Sequence, residues 1–286
     1  MTIKDILVHL DASPRNGAVL DLAAGLASRH GAHLTAVHVV ELPTPAMFYG
    51  GDPSGFIDPR LIEDLMNTLR EQSTRESTRL EQAFRNRAVR DGIEAEWRLA
   101  EGLTAETVAL HARYADLAVI GQRDPDDKSL AGTGDVAATT LLSSGRPVLV
   151  LPYVGAYPTV GRKVLVGWKS SGDAARAIND ALPLLQEADE VTVLSINPEG
   201  GIVGDGDVPA ADIALHLARH GVKASAAHTV AKEITEGDAL LDYADDIGAD
   251  LIVAGGYGHS RARELLFGGV TRTLLATMTV PVFLSH

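Results

Sequence analysis

Glycines and arginines are concentrated directly after the short apolar run at residues 251–254. The glycines follow the spacing Gly255-x2-Gly258-x9-Gly268-Gly269, and a helical pattern continues from Val270 to Met278. Glycine allows a tight turn or a close approach of backbone to a ligand. A helix N-terminus adds backbone N–H groups and a partial positive charge. The pattern therefore predicts a phosphate-binding loop, although the spacing alone leaves a purely structural turn open.

Several side chains in and near this stretch could contact an anionic ligand. They are His259, Ser260, Arg261, Arg263 and Thr271, together with Trp168 and Lys169 at the end of an earlier strand. Trp168 could stack on a base or simply fill the cavity. His259 could assist phosphoryl transfer, but no Ser–His–Asp or paired-carboxylate arrangement supports catalysis. We therefore expect a binding site with no catalytic residues.

An acidic version of the same loop occurs in the first half of the chain. It reads Gly121-x2-Asp124-x9-Gly134-Asp135, with Asp126 and Asp127 close by. Carboxylates at this position would repel a polyphosphate unless a cation intervened. Their oxygens could bind a divalent cation, but a solvated acidic loop is the favoured interpretation. The first half is therefore predicted not to hold a polyphosphate.

Two histidines form a further candidate site in the first half. His9 and His38 are expected near the ends of adjacent parallel strands, where they could share a metal ion with Asp11. Histidines at strand ends are more often hydrogen-bonded residues of the core, and we favour that interpretation. No metal is expected.

The elements that must position these residues occur twice. "ADLAVIG" at 115–121 recurs as "ADLIVAG" at 249–255, and "RPVLVL" at 146–151 is matched by "VPVFLS" at 280–285. Near the start of each half, "ILVHLDAS" at 6–13 corresponds to "VLVGWKSS" at 164–171. Repeats in the same order predict two copies of one domain, at residues 1–153 and 162–286. The glycine- and proline-rich segment Tyr153–Gly161 is the predicted linker.

Each copy alternates apolar, β-branched runs with amphipathic helical patterns. The strands predicted in the first copy are Ile6–Leu10, His33–Val40, Ile93–Leu99, Leu117–Gly121 and Pro147–Leu151. A long charged helix is predicted from Pro59 to Val89. Alternation of strands and helices predicts a parallel sheet with helices on both faces. Each copy is therefore expected to be a doubly wound, five-stranded α/β domain.

The combination of repeats and glycine motif resembles the universal stress protein family in its tandem two-domain form, with an adenine nucleotide alpha hydrolase-like fold. The resemblance is carried by the glycine spacing after a fourth strand, the two "ADL-x-V-x-G" copies and "HVV" at residues 38–40, and it covers nearly the whole chain. In family members that bind ATP, the glycine motif holds ribose and phosphates. An Asp and a Val at the ends of the first two strands frame the adenine. A Ser or Thr after the last glycine helps to hold the phosphates.

Residue by residue, the two copies match this pattern differently. The second copy has Gly255, Gly258 and Gly268, with Ile196 at the position of the Val, but Gly269 replaces the Ser or Thr and Lys169 replaces the Asp. The first copy has the Asp and the Val, as Asp11 and Val39, but Asp124 replaces the second glycine. The resemblance thus implies weak ATP binding with poor base selectivity, in the second domain only. Arg261 and Arg263 would compensate for the losses through contacts to phosphate.

The resemblance also implies how the domains are arranged and what the protein does. In this family the last strand pairs domains, so Pro147–Leu151 and Pro281–Leu284 are expected to meet as an intrachain pseudo-dimer; a homodimer of two chains stays open. The implied function is a stress-response or regulatory protein that binds an adenine nucleotide or another small ligand, with at most slow ATP hydrolysis. The alternative is a stress-associated scaffold that binds no nucleotide.

Composition narrows the classes of partner. The formal net charge is −13, from 38 acidic and 25 basic residues, which argues against general nucleic-acid binding. No run approaches the roughly 18 apolar residues of a membrane helix, so no membrane partner is expected. The chain contains no cysteine, and its N-terminus shows no signal-peptide pattern. We therefore expect a cytoplasmic protein.

Overall fold

The computed structural model describes residues 2–43, 59–126, 135–157, 160–198, 210–256 and 269–286. Its strands are β1 (Asp5–His9), β2 (His33–Val40), β3 (Ala95–Glu101), β4 (Leu117–Gly121), β5 (Val148–Leu151), β6 (Lys163–Trp168), β7 (Glu190–Ile196), β8 (Ala224–Thr229), β9 (Leu251–Gly255) and β10 (Val282–Ser285). Its helices are α1 (Asn16–His30), α2 (Pro59–Asp91), α3 (Thr104–Ala112), α4 (Val136–Ser144), α5 (Gly172–Glu187), α6 (Ala211–Arg219), α7 (Glu236–Ile247) and α8 (Gly269–Thr277). Within these ranges, no helix has the length and apolar character that crossing a bilayer requires.

All ten strands belong to one sheet, in the order β3-β2-β1-β4-β5-β10-β9-β6-β7-β8. Pairing within each half is parallel, so every connection between strands of the same half crosses over a face of the sheet. This confirms the predicted repeated α/β fold. In each half the strand order reverses beside the first strand, between β1 and β4 and between β6 and β9. Ligands of doubly wound sheets bind at such switch points, beyond the carboxyl ends of the strands.

The two halves join through their last strands, as the family resemblance implied. Strand β10 pairs antiparallel with β5, with Phe283 opposite Leu149. The two five-stranded sheets are therefore parts of a single ten-stranded sheet. Joining the edges in this way satisfies the backbone groups of two apolar strands that would otherwise be exposed.

The core lies on both faces of the sheet, because successive strand residues point to opposite sides. In β1, Ile6 and Val8 belong to one apolar cluster and Leu7 belongs to the other. A strand that is buried on both faces has a continuous apolar sequence, and such runs made these strands predictable.

Helix ends follow local sequence signals. Gly31 ends α1 and Gly248 ends α7, both with left-handed backbone that glycine adopts without strain. Thr235 begins α7 by accepting a hydrogen bond from the backbone N–H of Asp238. The glycine caps return the chain to the starts of β2 and β9, and the Thr235 cap fixes the first turn of α7 at the carboxyl edge of the sheet, where the switch point lies.

Candidate functional site

A cavity of about 220 Å³ lies at the switch point of the second half. It is bordered by the carboxyl ends of β6, β7 and β9 and by the first turns of α5, α7 and α8. Seven of the residues predicted for the site line it: Trp168, Lys169, Ile196, Gly255, Gly269, Val270 and Thr271. The predicted residues Gly258, His259, Ser260, Arg261 and Gly268, together with Arg263, lie outside the described residues. The structure thus brings together the described part of the predicted site.

Packing explains the glycine at the end of β9. A Cβ atom added to Gly255 would lie 2.6 Å from the backbone N of Ala174 and 2.7 Å from the backbone C of Asp173. The first turn of α5 therefore approaches the strand end so closely that no side chain fits. The close approach expected of this glycine is made to a helix, and the glycine requires no ligand to explain it.

The glycine that begins α8 has a different environment. A Cβ atom built on Gly269 would meet no atom within 4 Å, although this residue lines the same cavity. The N-terminal turn of α8 also contributes Val270 and the buried Thr271 to the wall. Helix N-termini favour anions through their N–H groups and dipole. This turn is the part of the described cavity best suited to phosphate.

The charges on the described wall are mixed. Lys169 is its cation, and Asp173 and Glu236 are its carboxylates. The Asp173 carboxylate lies 3.7 Å from His286 Nδ1. The sequence reasoning missed both acidic residues, although each lies in the first turn of a helix that follows a strand, where doubly wound sheets place their ligands. Both would oppose a polyphosphate.

A second cavity, of about 450 Å³, occupies the equivalent switch point of the first half. Six of its lining residues were singled out in the sequence: His9, Asp11, His38, Val39, Gly121 and Asp135. Asp124 accepts a hydrogen bond from the backbone N–H of Asp126 at 2.9 Å. Asp127 and Gly134 lie outside the described residues. The wall formed by Leu69, Gln72, Ser73 and Glu76 of α2 was not predicted.

Protein carboxylates occupy both helix N-termini at this first cavity. Asp135 accepts a hydrogen bond from the backbone N–H of Ala138, 2.9 Å away, at the start of α4. Glu41 Oε2 accepts from the backbone N–H and the hydroxyl of Thr104, at 2.9 and 2.7 Å, at the start of α3. The donors that could hold a phosphate are thus partly used by the chain itself.

The two histidines lie on neighbouring strands, as predicted, and both are buried. His38 Nδ1 lies 2.8 Å from the carbonyl oxygen of Leu10, and its ring stacks on Trp97 at 6.2 Å. Burial lowers the pKa of His9; the nearby Asp11 carboxylate opposes this shift and His38 adds to it. Among the described residues, no group of three or more His, Asp or Glu has the arrangement of a metal site.

The sequence matches the model of the universal stress protein family twice, at residues 2–152 and 161–286. The chain belongs to the universal stress protein family. The two matches give it the tandem two-domain arrangement that the repeats indicated.

Solved structures of similar proteins show the same fold. A universal stress protein from Archaeoglobus fulgidus DSM 4304 has a TM-score of 0.71 at 18% identity, covering 99% of this chain and 96% of that chain. A functionally unknown protein from Pseudomonas aeruginosa PAO1 has a TM-score of 0.58 at 15% identity, and the match covers 99% of this chain and 92% of that chain. A putative universal stress protein from Pseudomonas aeruginosa UCBPP-PA14 has a TM-score of 0.54 at 16% identity, and the match covers 99% of this chain and 93% of that chain. At such identities these likenesses concern the fold alone. No curated protein matches the chain.

Proposed function

We propose that this universal stress protein is a regulatory binding protein whose second domain, residues 162–286, holds an adenine nucleotide weakly and hydrolyses it slowly if at all. The observation that carries the proposal is the convergence of the α8 N-terminus, the end of β9 and Lys169 on one cavity. A helix N-terminus and a cation are the two features that bind phosphate in proteins. Trp168 and Ile196 line the same cavity and provide apolar surface for a base.

Weak binding follows from the size and charge of the cavity. Its volume of about 220 Å³ is smaller than the roughly 300–1,000 Å³ of typical ligand pockets. Asp173 and Glu236 oppose the phosphates, and Gly269 supplies no hydroxyl. Arg261 and Arg263 would provide the remaining positive charge. Cytoplasmic localisation, expected from the composition, stays a prediction.

A scaffold that binds no nucleotide is the second candidate function. The observation that favours it is the excess of carboxylates over the single lysine on the described wall of the second cavity. Such a protein would act through contacts with protein partners.

Calorimetric titration separates the two candidates. ATP, GTP and AMP are titrated into the purified chain at two salt concentrations. The proposal expects weak ATP binding with little preference for adenine, and lower affinity at high salt because screening weakens the arginine contacts. Gly258→Asp should abolish this binding by adding a side chain and a negative charge near phosphate, whereas the control Asp124→Gly in the first domain should leave it unchanged. No binding of any nucleotide would favour the scaffold, and loss of binding in the Asp124→Gly control alone would move the site to the first domain.

A further inference from the structure

The cavity of the first domain is a well-formed pocket whose charge is opposite to that of a phosphate site. At about 450 Å³ it falls within the range typical of small-ligand pockets. Four carboxylates line it, against one arginine, Arg123. They are Asp11, Glu41, Glu76 and Asp135.

Three of these carboxylates are held in place by backbone hydrogen bonds without being saturated, whereas Glu76 pairs with Arg79 of α2 at 3.4 Å. Asp135 Oδ1 and Glu41 Oε2 cap helices, and Asp11 Oδ1 accepts from the backbone N–H of Ser13 at 3.0 Å. An ionised carboxylate offers about four acceptor positions on two oxygens, so Asp11, Glu41 and Asp135, which line the cavity, each retain acceptor capacity. Fixed acceptors of this kind lose little conformational freedom when a ligand binds.

A buried histidine in the cavity wall has no hydrogen-bond partner among the described residues. His9 is only 7% exposed and borders the cavity, yet none of the hydrogen bonds of the described chain involves its ring. Its neighbour His38, equally buried, is accounted for by its contact to Leu10 and its stacking on Trp97. Because His9 borders the cavity and makes no side-chain hydrogen bond to the described chain, its ring keeps its hydrogen-bonding capacity for a group in the cavity.

The chemistry of His9 fits a ligand that donates hydrogen bonds. Burial lowers its pKa, so the ring is neutral near pH 7 and keeps one nitrogen as an acceptor. Acceptors on the imidazole and on the carboxylates together match a group that carries several N–H donors and a positive charge.

We propose that the first-domain cavity binds a small organic cation bearing ammonium groups. Asp11 and Asp135 bind the charge, and His9 accepts one of the N–H groups. Leu69 of α2 covers the aliphatic part of the ligand. Metal ions fit less well, because no three ligating side chains of the described chain converge on one point. Anions are opposed by the surplus of carboxylates.

The proposal is tested by calorimetry with two probes of equal length and opposite charge. Putrescine, a four-carbon dication, should bind the full chain saturably at one molecule per chain in low salt. Succinate, a four-carbon dianion, should not bind. Asp11→Asn and Asp135→Asn should each weaken putrescine binding about tenfold, as expected for losing a hydrogen bond to a charged group.

The variants are chosen to separate charge from folding. Asparagine retains a carbonyl oxygen that caps a helix or a turn, so both variants should keep their thermal unfolding temperature. Asp242→Asn, on an exposed position of α7 in the second domain, removes the same charge far from the cavity and should leave putrescine binding unchanged.

Three results would overturn the proposal. The first is an affinity for succinate equal to that for putrescine. The second is a loss of putrescine affinity in Asp242→Asn as large as in Asp11→Asn and Asp135→Asn, which would indicate attraction by the overall charge of −13. The third is saturable binding of Mg²⁺ or Zn²⁺ alone that displaces putrescine. The proposal does not depend on the nucleotide proposed for the second domain. ATP should neither compete with putrescine nor lose affinity in Asp11→Asn, so the two proposals can fail separately.

Discussion

Gly269 begins α8 at the wall of the second cavity, and a Cβ atom built there would meet nothing within 4 Å. A serine at this position would supply the hydroxyl that ATP-binding relatives are expected to use. We predict that Gly269→Ser strengthens ATP binding about tenfold, since a hydrogen bond to a charged group contributes about 1.5–3 kcal/mol. Isothermal titration of ATP into the variant and the unmodified chain measures the change.

The matched control for this variant is Gly17→Ser in α1. Gly17 also lies in the first turn of a helix with no atom within 4 Å of an added Cβ, but it belongs to the first domain and lines neither cavity. It should leave ATP affinity unchanged. Weaker binding by Gly269→Ser would mean that the start of α8 does not hold phosphate.

At position 255, close packing against α5 explains why the residue is glycine. We predict that Gly255→Ala lowers the free energy of unfolding by about 1–3 kcal/mol, because its Cβ would overlap the backbone of α5. Urea denaturation measures the loss. Gly172→Ala, where an added Cβ meets nothing within 4 Å, should be neutral or slightly stabilising. If Gly255→Ala were as stable as the unmodified chain, packing would not explain this glycine.

The sequence alone could not distinguish Gly255 from Gly269. Both were assigned to a phosphate loop from their spacing, and both line the cavity. The difference between them arises from the position of α5, which belongs to the tertiary structure. For the same reason Asp173 and Glu236 were missed, since their place on the wall depends on where two helices begin relative to the strand ends.

At the level of elements, a side chain of the protein itself occupies a backbone N–H group at the start of α4 that could otherwise bind a ligand. Asp135 caps this helix through the backbone N–H of Ala138. We predict that Asp135→Ala lowers the free energy of unfolding by about 1 kcal/mol, whereas Asp135→Asn, which keeps a capping oxygen, changes it by a few tenths. Thermal or urea unfolding measures both. Equal losses in the two variants would show that the charge of Asp135, and not its cap, stabilises the helix.

Strands and long helices were predictable because their signals are local. The predicted His33–Val40 and Leu117–Gly121 are the observed bounds of β2 and β4. The third strand begins at Ala95, two residues after the predicted Ile93, and the long helix extends past Val89 to Asp91. The role of α2 as a wall of the first cavity was not predictable, because its charged, periodic sequence indicates a covering helix without saying which residues face a cavity.

On the scale of the whole molecule, the antiparallel junction of β5 and β10 makes two repeats into one sheet. Phe283, 1% exposed, pairs with Leu149 of the first domain and with Val253 of the second. A hydrogen bond also joins the two domains: Gln122 Nε2 donates to the carbonyl oxygen of Leu275 at 2.9 Å. The two domains are therefore expected to unfold together in a single transition, in contrast to domains joined only by a linker.

We predict that Phe283→Ala lowers the stability of both domains, by about 3–5 kcal/mol for a buried aromatic residue. Phe84→Ala is a second test of the same coupling: this residue is also 1% exposed, but it packs on Trp97 in the first domain, away from the junction. Hydrogen exchange should show lost protection in both β2 and β7 for Phe283→Ala. If the domains are coupled, Phe84→Ala should also release both strands together, and calorimetry should give one transition for both variants. Two transitions, with Phe283→Ala affecting β7 alone and Phe84→Ala affecting β2 alone, would contradict coupling and show that the continuous sheet joins two independently stable domains.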